Sequence, residues 1–293
     1  MAIRFTRSGG AETSSAPPSS SIKRSPSISP AVPAPTSTPR RLTIYYGIPS
    51  LVNGAAGDIA RAVEVFAEYD VVVLADGLEF DDVQPRRTPA GAGPVEHQRT
   101  REIISRLAGM PRRTTVFGYV KLGRPQQLSP HEVRSRIERW AAMGAAGILF
   151  DAAGADFGVD RARQNAAVDA AHAAGLRAVL NASNPDDVFR IGVDRLRPRL
   201  GAGDAYLLES FAVQVGRIED PRLWRERVHK AWTGAIATGA VLWATTTTRG
   251  DYDAPLMEHA WHAAKQAGVD AFGWGEPFFA GPDNRLPFRP RPR

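Results

Sequence analysis

The sequence predicts an α/β protein built as a (β/α)8 TIM barrel, and three observations carry that prediction. Eight short β-rich runs recur along the chain, their starts 29, 43, 33, 30, 27, 36 and 29 residues apart. Each interval is about the length of one strand plus one crossover helix. Runs such as Val71–Ala75 and Gly147–Phe150 are almost wholly apolar, as a parallel sheet covered on its outer face requires. Neither a Gly-x-Gly-x-x-Gly after the first run nor a Walker loop occurs, so a doubly wound nucleotide fold lacks its phosphate-binding signature.

The predicted strands are Leu42–Tyr46, Val71–Ala75, Thr114–Val120, Gly147–Asp151, Arg177–Asn181, Asp204–Glu209, Ala240–Thr245 and Val269–Gly275. The helices between them carry start and stop signals. Ser129 is placed to cap a helix, with Pro130 at the first position and Glu132 completing a capping box. Val133, Ile137, Trp140 and Gly144 then share one face at helical spacing. Gly144, Gly175, Gly239 and Gly268 each stand where a helix must end before the next strand, and the left-handed conformation of such an end costs glycine nothing. Only Pro-rich sequence follows the eighth strand, so the final helix is expected to be absent.

The two ends differ from the middle. Residues 11–40 contain nine Ser and seven Pro, too little apolar surface to offset ordering entropy, so 1–40 reads as a disordered leader. It is not a Sec signal, because no apolar stretch of about 7–15 residues follows Arg4 and Arg7. One use for it is a tether to a larger particle or assembly. Residues 41–284 form the expected barrel, and 285–293 a basic Pro/Arg tail. The net charge of +6 splits into +4 in 1–40, −2 in 41–284 and +4 in 285–293. The fold itself therefore carries no positive field, which argues against a nucleic-acid partner. No apolar run of about 18 residues exists, so no membrane span is expected. Zero Cys excludes disulfides, thiolate metal sites and a cysteine nucleophile.

Chemistry in such barrels occurs at the C-terminal ends of the strands. Those positions hold Tyr46, Asp76, Tyr119, Asp151, Asn181, Glu209, Thr245 and Glu276. No histidine stands among them, so neither a His-based zinc site nor a Ser-His-Asp triad is supported, and no metal or cofactor is expected. Lys121 follows the third strand, but nothing else supports Schiff-base chemistry on it. Paired carboxylates flanked by aromatics are what glycoside hydrolysis needs. Asp151 and Glu209 directly end apolar runs, where an unpaired charge is expensive unless used; they are the expected catalytic pair. Tyr46, Asp76, Tyr119, Asn181, Trp243, Trp274 and Glu276 are the expected substrate-binding residues, with Phe211 and Phe278 as further aromatic candidates.

Phe117–Val120, Gly147–Asp151, Val179–Asn181 and Leu207–Phe211, in that order, resemble the barrels of glycoside hydrolase family 114 and the spherulin-4-like family 135 over residues 42–280. The resemblance implies an endo-acting enzyme on α-1,4-linked galactosamine or N-acetylgalactosamine polymers. It implies catalysis by Asp151 and Glu209, either of which could be the acid, and a sugar contact at Asn181. Two departures stand out: Ala152–Phe157 is small and apolar where the family is acid-rich, and a secretion signal is not seen. The alternative is a carbohydrate-binding or structural barrel without turnover, displayed on an assembly; a raised carboxyl pKa would separate the two. A metal-dependent hydrolase using Asp76, Asp151, Glu209 and Glu276 ranks last.

Overall fold

The computed structural model describes residues 38–75, 77–82, 93–125, 127–192, 195–248, 252–275 and 283–286. The predicted leader, all but its last three residues, and most of the basic tail lie outside them. So do residues 276–282, where the absence of a final helix would show.

Eight parallel strands close into a barrel. They are β1 (Arg40–Tyr45), β2 (Val71–Leu74), β3 (Thr115–Lys121), β4 (Gly147–Asp151), β5 (Arg177–Asn181), β6 (Ala205–Leu208), β9 (Val241–Thr245) and β10 (Ala271–Gly273). The order around the barrel is β1-β10-β9-β6-β5-β4-β3-β2, and β1 pairs with both β10 and β2. Between them run α1 (Ile59–Phe66), α2 (Pro94–Gly109), α3 (Pro130–Ala142), α4 (Arg161–Ala173), α5 (Pro185–Phe189), α6 (Pro221–Thr238) and α7 (Ala254–Gln266). All eight predicted strands are present, within three residues at each end.

Strand alternation divides the apolar residues into two layers. Ile44, Val73, Phe117, Leu149, Leu207 and Trp243 belong to the inner cluster that fills the barrel. Ile148, Phe150, Leu180, Tyr206, Leu242 and Phe272 face outward, to the larger cluster beneath the helices. One position shows how tight that outer layer is: a Cβ on Gly118 would collide with the Trp140 indole of α3.

The helix signals are realised. Ser129 accepts a hydrogen bond from the Glu132 amide, and the Glu132 side chain accepts one from the Ser129 amide. The four helix-ending glycines all have φ between 68° and 89°. On α3, Val133, Ile137 and Trp140 are buried as expected, but so is Arg136. Arg136 Nη1 meets Glu79 Oε1 at 3.0 Å, both side chains nearly fully buried, and Glu79 also accepts a hydrogen bond from the Gly77 amide at 2.6 Å. Helical spacing cannot distinguish such an arginine from a solvated one, because its partner lies 57 residues away.

A small hairpin, β7 (Val213–Gln214) with β8 (Arg217–Ile218), interrupts the connection after β6. Its two-residue loop, Val215 and Gly216, has φ of 50° and 70°, the backbone that a tight hairpin turn demands. Strands of two residues leave no periodicity in a sequence, so nothing in the apolar pattern marks this element. Asn284, beyond β10, straps the first loop: its Oδ1 accepts from the Ile48 amide at 2.6 Å and its carbonyl from the Asn53 amide at 2.7 Å.

Candidate active site

The same alternation decides which strand-end residues face the mouth. Leu149 faces inward on β4, so Asp151, two residues on, does too; Leu207 does the same for Glu209 after β6. By this parity Tyr46, Lys121, Asn181 and Thr245 also project to the mouth, around the two acids.

Each acid sits at a sharp bend. The residue after Asp151 is Ala152, with φ 52°, and the residue after Glu209 is Ser210, with φ 53°. A non-glycine residue in this left-handed region is uncommon, and such strain persists only where neighbours hold it. At Ser210 the holders are visible. Arg227 Nη2 donates to the Ser210 carbonyl at 2.9 Å while pairing with Glu219 Oε2 at 2.7 Å. The Ser210 hydroxyl lies 2.9 Å from the Thr247 hydroxyl.

The electrostatics of the two acids differ. Tyr119 donates its hydroxyl to Asp151 Oδ2 at 2.5 Å, and the Tyr119 ring packs edge-on against Tyr46 with centroids 5.4 Å apart. In the β3–β4 register Lys121 lies directly opposite Asp151. Glu209 keeps an exposed face, yet the barrel walls around it displace most of its water. That desolvation, and secondly the charge of Asp151, push the Glu209 carboxyl up to about 7.

The remaining expected site residues divide. Asn181 is buried at the mouth, its amide donating to the Leu207 carbonyl at 3.3 Å. Trp243 faces inward, but one layer below the mouth, packed edge-on against Phe117 at 4.9 Å. Trp274 lies in the outer layer against Tyr252, and Phe211 in that layer against Trp224 and Phe272. Three different causes place them: Trp274 shares the outward parity of Phe272, Trp243 has inward parity but lies one layer deeper, and Phe211 follows the left-handed bend at Ser210. Asp76, Glu276 and Phe278 lie outside the described residues. Among the described residues no group of three His, Cys, Asp or Glu side chains could hold a metal ion. None of their helices is long and apolar enough to cross a membrane.

No family model and no curated protein matches the chain. Solved structures do. The carboxyl transferase domain of Rhizobium etli pyruvate carboxylase superimposes with a TM-score of 0.50 at 15% identity, over 82% of this chain and 40% of that one. An aldolase/citrate lyase family protein of the HpcH/HpaI type from Burkholderia cenocepacia matches with a TM-score of 0.48 at 12% identity, over 83% and 91%. A variant of the citrate synthase SbnG gives 0.44 at 15%, over 82% and 88%. All three are enzymes, and at such identities the likeness establishes the barrel alone.

These findings correct the expected kinship with glycoside hydrolase family 114 and spherulin-4-like family 135. The barrels that match include citrate synthase-like, carboxyl transferase and aldolase/citrate lyase proteins, and no model of either glycosidase family matches. The physical reason lies in the motifs: apolar runs ending in one polar residue are what inward and outward alternation writes at the strand ends of any such barrel. The endo-galactosaminidase function, the description as a hydrolase or glycosidase in polysaccharide degradation, and the polysaccharide substrate fall with that kinship. Neither the non-catalytic carbohydrate-binding alternative nor a tethering partner gains support from these findings.

Proposed function

We propose that this chain is an enzyme that moves a proton next to the carbonyl group of a small, uncharged hydroxy-carbonyl compound, chemistry of the lyase or isomerase type. The observation that carries this reading is Glu209: reachable from the mouth, desolvated, beside Asp151, and titrating near 7. A carboxyl raised toward neutrality can take a proton as base and return it as acid. A barrel that only bound ligands would have no use for a strand-end carboxyl whose ionisation is opposed by a second one beside it.

In this reading Glu209 removes the proton from carbon adjacent to the carbonyl, and the electron pair moves onto the carbonyl oxygen. The proton then returns to carbon or oxygen to complete the turnover. The Lys121 ammonium and the Asn181 amide offer hydrogen-bond donors to the hydroxyl oxygen of the substrate. Asp151, held by the Tyr119 hydroxyl, accepts from a substrate hydroxyl; Tyr46 and Tyr119 form the adjoining wall. Two carboxylates against one ammonium among the described inward groups favour an uncharged substrate over an anion.

Incubation of hydroxyacetone and dihydroxyacetone with the protein in D2O, followed by proton NMR, tests the reading. Wild type should exchange the protons adjacent to the carbonyl faster than buffer, and Glu209→Gln should lose about 100-fold or more of that rate. Exchange no faster than buffer, or an undiminished rate in Glu209→Gln, refutes it.

A further inference from the structure

Strand β9 carries two polar atoms that the barrel itself does not satisfy. The Thr245 hydroxyl and the Trp243 indole N–H are both buried and have no hydrogen-bond partner among the described residues. They occupy successive inward positions: Trp243 belongs to the inner cluster, Ala244 to the outer one, and Thr245 again points in. Around them the inner cluster is formed by side chains such as Ile44, Val73, Phe117, Leu149, Val179 and Leu207. Buried polar side-chain atoms are nearly always hydrogen-bonded, so an orphan calls for an explanation.

The position of Thr245 is fixed on both sides. Its residue pairs with Gly273 of β10, and its carbonyl accepts from the Phe211 amide at 2.9 Å, across the bend that follows Glu209. Because Leu208 pairs with Ala244, the next inward positions on the two strands are Glu209 and Thr245. Neighbouring strands lie about 4.8 Å apart, so these two side chains are neighbours at the mouth end of the inner layer.

We infer that the Thr245 hydroxyl is the group that binds the carbonyl oxygen of the substrate beside Glu209, with Trp243 N–H as the polar floor beneath it. The inference rests on the proton-transfer reading of the same site and assigns its substrate orientation. It also makes an unusual demand on stability. An unpaired buried hydroxyl opposes folding, so its removal should leave the fold intact or strengthen it while weakening the function.

Thr245→Val, which keeps the shape and removes the hydroxyl, and Thr245→Ser, which keeps the hydroxyl, separate the possibilities. Exchange of hydroxyacetone protons in D2O should fall about tenfold in kcat/KM for Val and stay near wild type for Ser. The unfolding temperature of Val should equal or exceed that of wild type. Unchanged exchange in Val overturns the inference, and so does a loss of activity that accompanies a lowered unfolding temperature, since that marks a structural hydrogen bond. Saturation-transfer NMR with hydroxyacetone distinguishes failure of the broader reading. Binding by wild type that Val abolishes, without any exchange, refutes proton transfer and upholds Thr245; binding that Val retains, or no binding by wild type, overturns the Thr245 assignment.

Discussion

Two carboxylates that look equivalent along the chain have different surroundings in the fold. Asp151 accepts the Tyr119 hydroxyl and faces Lys121 across the sheet, whereas Glu209 is desolvated and meets the Asp151 charge. The consequence for pH dependence has a definite sign. If Glu209 is the base, exchange rises with pH through a midpoint near 7 as that carboxyl ionises. Asp151→Asn removes the charge that helps keep Glu209 protonated, so the midpoint should move to lower pH. It should stay above the ordinary glutamate value near 4.5, because desolvation, the larger cause, remains. A pH–rate profile of the variant that does not move, or moves upward, would break the link between the two acids. Legibility at this scale was partial. Ends of apolar runs pointed to Asp151 and Glu209, but the partners that set their properties, Tyr119, Lys121 and the Arg227–Glu219 pair behind Ser210, come from other strands and helices.

Elements were legible wherever they are long enough to repeat a pattern. Helix α3 is the best case: its cap, its proline and its buried face could all be placed from Ser129–Trp140. Because Ser129 satisfies an amide that the helix cannot, Ser129→Ala should cost about 1 kcal/mol of stability. Urea denaturation with an unchanged slope and a lowered midpoint would register that loss. The β7–β8 hairpin marks the opposite limit. Its strands are two residues long, and its strained Val215 is held by bonds that Val215 and Gly216 amides make to Thr247, at 3.1 and 2.9 Å. Nothing local in the sequence announces such contacts, which join two connections at the mouth of the barrel.

At the scale of the whole molecule the barrel closes where its first and last strands meet. Arg40 pairs with Ala271 and Arg41 with Phe272 in register, and the Arg40–Asp270 ion pair flanks that seam. Above it, Asn284 and Asn53 exchange hydrogen bonds with each other's segments: Asn284 O with the Asn53 amide, and Asn53 Oδ1 with the Leu286 amide at 2.7 Å. Leu286 is buried there. Asn284→Ala should leave the Ile48 amide without its acceptor at a cost of about 1–3 kcal/mol. At roughly 2–4 °C per kcal/mol for a domain of this size, the thermal midpoint should fall by several degrees; an unchanged midpoint would show that the strap contributes nothing to closure.

The sequence by itself determined the eight-strand repeat, the helix ends and the two acids that terminate the fourth and sixth strands. These are properties of short segments, set by apolar periodicity, capping chemistry and the conformational freedom of glycine. Only the tertiary structure decided that Trp243 lies beneath the mouth and Trp274 outside the barrel, that Arg136 is buried against Glu79, and that Glu209 titrates near neutrality. Each of those depends on which distant residues surround a side chain, and barrel closure brings those residues together.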